Sequence, residues 1–99
     1  MVVTFIEAHV VPDEWTALEQ AYKAGTQRLP PQLSQTFLVQ SAADPTLWQI
    51  ISVWASLEAL LEARRMTEMP TGVLMFRAAG AEPTHSVFDV VATASEASK

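Results

Sequence analysis

At 99 residues, 49% hydrophobic and 17% charged, the chain is the size of one domain and has little polar cover, a first sign of burial shared with a second subunit. Eleven acids against six bases give a net charge of −5, and with no basic cluster beyond Arg64-Arg65 a nucleic acid partner is not expected. No cysteine is present, which excludes disulfides, thiol chemistry and cysteine-bound metals and fits a cytoplasmic protein.

Val2 to Val11 is β-branched and aromatic, stops at Pro12, and reads as strand 1. Nothing basic precedes its apolar part, so it does not read as a signal peptide. Apolar residues stand on both of its faces, which predicts a central strand covered on two sides. Pro12-Asp13-Glu14 opens helix 1, with Pro suited to a first turn and acids at the positive end of the dipole. Trp15, Leu18, Tyr22 and Gly25 make its stripe, and the helix ends before Pro30-Pro31.

Residues 33–41 suggest strand 2, Ala42-Ala43-Asp44-Pro45 a turn, and Thr46 to Ala55 strand 3, so strands 2 and 3 form a hairpin. Ser56 is the N-cap of helix 2, with Leu57, Leu60 and Leu61 as its buried stripe and Arg64-Arg65 at its end. Between Met66 and Gly80, Pro70 opens a third short helix and Gly80 closes it as the C′ residue. Val73, Leu74, Met75 and Phe76 are consecutive there, so no single face is apolar. His85 to Ala92 reads as strand 4. Residues 1–93 form one domain and 94–99 a frayed tail. No apolar run reaches the roughly 18 residues of a membrane span.

The fold class is therefore α+β, a ferredoxin-like βαββαβ chain with a four-stranded antiparallel sheet and helices on one face. Helices cover one sheet face, yet strands 1 and 3 are apolar on both. A second copy of the same sheet would cover the other, which predicts a homodimer.

Val10-Val11-Pro12-Asp13, Asp44-Pro45 and, above all, Val53-Trp54-Ala55-Ser56 running into Leu57-Glu58-Ala59-Leu60 resemble the antibiotic biosynthesis monooxygenase family. The likeness spans Val2 to Ala92. It implies two sheets packed face to face as a dimeric α/β barrel, and a small pocket between each sheet and its helices. Some members of that family oxidise aromatic polyketides with O₂ and no cofactor, and others degrade heme. The chain departs from the heme-degrading pattern: Ile6 falls near the expected Asn, and helix 2 has Leu60, Leu61 and Arg64 where a Trp belongs. Pro30-Pro31 also replaces the usual Gly turn before strand 2. The resemblance thus implies an apolar or aromatic small molecule as ligand and no cofactor.

Two candidate bases exist. His9 shares a face of strand 1 with Glu7, and a carboxylate beside an imidazole can set its tautomer for proton abstraction from a phenol or enol. The more ordinary reading of the pair is an inert polar contact in a barrel or interface. His85, at the start of strand 4, is either a proton shuttle at a pocket mouth or a loop-supporting residue. The two isolated His lack ligand spacing, so no metal is expected. Trp54 can line a pocket or anchor the core. Met66, Met69, Met75 and Phe76 suit an adaptable lid or gap-filling core, and Arg77 can meet a ligand carboxylate or end its helix in solvent. Two functions follow: a dimeric barrel binding an apolar or aromatic molecule, acting as a cofactor-independent monooxygenase, or a non-enzymatic ligand-binding or interaction module of the same shape.

Overall fold

A computed structural model describes residues 1–67 and 69–95. In chain order it contains β1 (Val2–His9), a 3₁₀ turn (Pro12–Glu14), α1 (Trp15–Gly25), β2 (Leu33–Gln40), β3 (Leu47–Trp54), α2 (Leu57–Arg65), α3 (Thr71–Ala78) and β4 (Thr84–Asp89). The four strands form one antiparallel sheet in the order β2-β3-β1-β4. This is the ferredoxin-like arrangement, with β1 and β3 central and helices packed on one face. Of the tail expected at 94–99, the part from residue 96 on lies outside the described residues.

Strand alternation assigns the two faces. Val2, Thr4, Ile6 and Ala8 of β1 pair with Trp54, Ser52, Ile50 and Trp48 of β3, and all eight are buried. This face carries the helices. Val3, Phe5 and Glu7 pair with Val53, Ile51 and Gln49 on the opposite face, where each is only partly covered.

Strands 1 and 4 stop short of the ends that their composition suggests. Strand 1 ends at His9, not Val11, because Val10 turns inward and its N–H donates to the Thr46 carbonyl at 2.7 Å. Trp15 then closes over that bend by donating its indole N–H to the Val10 carbonyl at 2.8 Å. Strand 4 ends at Asp89, not Ala92, because Asp89 already pairs with Val2 and Val90 N–H takes the Met1 carbonyl.

The helices hold two further corrections. In α2 only Leu60 of the expected stripe is buried, while Leu57 and Leu61 are 47% and 49% exposed. The inward face instead runs through Ala59, Leu60, Ala63 and Arg64, at helical spacing. Ser56 does cap this helix, accepting from the Ala59 N–H at 3.0 Å.

Helix α3 does have one buried face, made by Gly72, Met75, Phe76 and Ala79, while Leu74 points to solvent. It lies so close to the sheet that a Cβ on Gly72 would stand 2.7 Å from Ile6 Cδ1. Gly80 ends the helix at φ 75°, with its N–H on the Arg77 carbonyl and Ala81 N–H on the Phe76 carbonyl. That is a Schellman cap.

Phe76, Leu18, Val10, Trp48 and Ile50 gather with their neighbours into the larger core cluster. Val2, Trp54 and Leu60 form a smaller one at the other end. The space between the two clusters is not filled.

Candidate functional site

A cavity of about 520 Å³ opens there, between the helix-bearing sheet face and all three helices. Its floor is Thr4, Ile6, Ile50, Ser52, Trp54 and Thr36. α1 contributes Tyr22 and Gly25, α2 contributes Ala63 and Arg64, and α3 contributes Gly72 and Met75. Leu29, Pro30 and Pro31 close one side, so the double proline that replaces a glycine turn becomes part of the wall. A small inward residue of α2 leaves room here: Ala63 lines the cavity, while Leu60 is buried in the smaller core cluster.

The floor carries a row of hydroxyls. Thr4, Ser52 and Thr36 stand opposite one another on β1, β3 and β2. Ser52 Oγ donates to Thr36 Oγ1 at 3.2 Å, and the Tyr22 hydroxyl donates to the same oxygen at 3.3 Å. Trp54 Nε1 donates to Thr4 Oγ1 at 3.1 Å. Hydroxyl rotors both donate and accept, so this row can turn toward a carbonyl, phenol or hydroxyl of a bound molecule while its apolar surroundings take the rest. Polar residues in the otherwise apolar runs Val2-Thr4-Ile6-Ala8 and Trp48-Ile50-Ser52-Trp54 were the signal for it.

Of the residues singled out from sequence, Trp54, Met66 and Met75 line the cavity, Met66 at a rim where it is 75% exposed. Phe76 is fully buried in the core and does not reach it. Met69 and Arg77 also lie off the wall. Arg77 is engaged by Glu82 through Nε and Nη2, at 3.0 and 2.8 Å, and by the Met69 sulfur. Glu82 holds its carboxyl below the usual range in return, by that hydrogen bond first.

Glu7 and His9 share a face as their spacing requires, but it is the face away from the helices, and they do not form a pair. Glu7 accepts from Gln49 Nε2 at 2.6 Å. His9 Nδ1 lies 2.9 Å from Thr46 Oγ1 and 3.6 Å from Asp44, at the hairpin turn. Asp44 is occupied by that turn, accepting from Thr46 N–H and Thr46 Oγ1 at 3.1 and 2.8 Å. The Thr46 hydroxyl is the main reason its carboxyl sits below the ordinary value.

His85 is on the helix side, directly opposite Ile6. Arg64 Nη2 donates to its Nε2 at 2.8 Å, which places it behind a cavity-lining residue. Burial, and secondarily the Arg64 charge, keep its pKa below 6.5, so the neutral ring is favoured. Among the described residues no group of three His, Asp or Glu side chains is placed to hold a metal ion. No helix among them is long and apolar enough to cross a membrane.

A ferredoxin-like sheet with a cavity under its helices defines the class, and its fold is that of the antibiotic biosynthesis monooxygenases. At the level of sequence no family model matches the chain, and neither does any curated protein. Solved structures do match. A Deinococcus radiodurans protein provisionally named an antibiotic biosynthesis monooxygenase superposes with TM-score 0.74 at 12% identity, covering 99% of this chain and all of that one. Rv0793 of Mycobacterium tuberculosis gives 0.70 at 20% identity, over 95% and 98%. SnoaB of Streptomyces nogalater, a cofactor-independent oxygenase crystallised as its N63A mutant, gives 0.64 at 18%, over 96% and 98%. Identities this low carry the fold and no chemistry.

Proposed function

We propose that the chain binds an apolar or aromatic small molecule in this cavity and, as a homodimer in the cytoplasm, oxidises it with O₂ and no cofactor. The observation that carries the reading is the cavity itself: apolar walls from three helices around a row of hydroxyls. A flat phenolic ring fits such a lining, with its oxygen on the hydroxyls and its faces on Trp54, Ile50 and Met75. Once ionised, an electron-rich ring of the anthrone type can reduce O₂ directly, ending as a quinone and water. His85 is the candidate proton acceptor, since it stands behind Arg64 of the cavity wall and its lowered pKa favours the neutral ring. Taking the proton on Nε2 would break its bond from Arg64. Dimerisation is supported by the open sheet face, where Phe37 and Phe88 remain 43% and 56% exposed beside Val3, Phe5 and Ile51.

Titration with anthrone-like phenols under O₂ tests both halves. Ligand binding with oxygen uptake, lost in His85→Gln, is the expected result. Binding without uptake leaves the second reading, a non-enzymatic binding module. The placement of Glu7 and His9 away from the cavity favours that alternative. Absence of binding overturns both.

A further inference from the structure

The cavity inverts the charge of the chain that forms it. The whole sequence has eleven acids and six bases. Yet Arg28 and Arg64 line the cavity, and no Asp or Glu of the described residues does. The other guanidinium groups on helices are paired: Arg65 with Glu62 at 3.0 Å and Arg77 with Glu82 at 2.8 Å. Arg64 has no described carboxylate within 4.0 Å, and its side-chain partner is the His85 ring.

We infer that the ligand is an anion, a flat apolar body bearing a carboxylate or other delocalised anionic oxygen that docks on Arg64. This rests on the cavity being the ligand site. A guanidinium has five N–H donors in a fixed fork, and His85 takes one, so the remainder can meet an anionic oxygen pair. Partial burial makes the match stronger than it would be in water, because the same burial disfavours an unpaired cation and lowers the Arg64 pKa. His85 supplies no negative charge: a neutral imidazole fixes the fork without neutralising it. Arg28, in the exposed loop after α1, adds attraction at the mouth.

The experiment compares two probes with one ring system, 2-naphthoate and 2-naphthamide, on the full chain. The acid is expected to bind about tenfold or more tightly, the worth of one charge-assisted hydrogen bond. Arg64→Gln should weaken naphthoate far more than naphthamide and so erase the preference for the acid. Arg64→Lys should restore only part, since it keeps the charge and loses the fork. Circular dichroism checks that each variant is folded. Equal affinities in the wild type, or a preference that survives Arg64→Gln in a folded protein, overturn the anion assignment while the cavity reading stands. If neither probe binds, the cavity reading fails and the assignment falls with it.

Discussion

The indole N–H of Trp54 donates to the hydroxyl oxygen of Thr4 at 3.1 Å, from one central strand to the other, and both side chains are buried. The bond ties the smaller core cluster to the cavity floor. Thr4→Val keeps the shape and removes the acceptor, leaving a buried N–H without a partner. A loss of about 1–3 kcal/mol is expected, read as a fall in Tm of several degrees. Trp54→Phe loses more, through packed area. In the double variant the two losses should add to less than their sum, because the shared bond is counted once. Simple additivity in thermal melts would mean the bond carries no stability.

Gly80 has a positive φ with nothing within 4 Å of where a Cβ would stand. Gly80→Ala therefore tests backbone conformation alone. It should cost about 1–2 kcal/mol, and Gly80→Asn less, since Asn tolerates the left-handed region. Urea unfolding reads both, and an unchanged midpoint for Gly80→Ala would show that the Schellman cap is dispensable.

Much of this architecture was legible because it rests on residues with one strong local meaning. Pro12 opens the first helical turn, Asp44 organises the hairpin turn, Ser56 caps α2 and Gly80 closes α3. The cavity was not legible, for a physical reason. Periodicity reports where large apolar side chains recur, and beside Leu60 the inward face of α2 carries small or charged residues: Ala59, Ala63 and Arg64. Leu57 and Leu61 outweighed them in the pattern while pointing outward. The misplacement of Glu7 and His9 has a similar cause. Both faces of β1 are apolar, so alternation puts the two on one face without saying which face meets the helices. Arg64 and Arg77 both stand in the last turn of a helix, and only three-dimensional placement shows that Glu82 pairs with Arg77.

Ile51 lies at the middle of the open sheet face, opposite Phe5 on one side and Phe37 on the other. If that face is the homodimer contact, Ile51→Lys places an unpaired cation at its centre, and buried unpaired charge is strongly destabilising. Sedimentation should then show a wild-type dimer and a folded monomeric variant at the same micromolar concentration. A stable wild-type monomer would remove the dimer from the proposal.

His85 makes stability depend on pH in a definite direction. Burial first, and then the Arg64 charge, hold its folded pKa below the ordinary 6.5. The unfolded chain, titrating near 6.5, therefore binds more protons in the interval beneath that value, and stability rises with pH across it. The contribution is complete above pH 6.5 and is lost as pH falls toward the folded pKa, after which this group adds nothing further. Asp44 and Glu82, with carboxyls held below 3.8 and 4.5, act at lower pH. His85→Gln should flatten Tm between about pH 7.5 and pH 5, an interval reaching roughly one unit or more to either side of the ordinary histidine value. Arg64→Gln should move the ring's titration, followed by its NMR proton shift, back toward 6.5 by removing the neighbouring positive charge. A His85 that titrates at the ordinary value in the wild type would mean its ring is more hydrated than its place beside Arg64 implies, and it would then be half-protonated near pH 6.5 and a weaker candidate for proton acceptor.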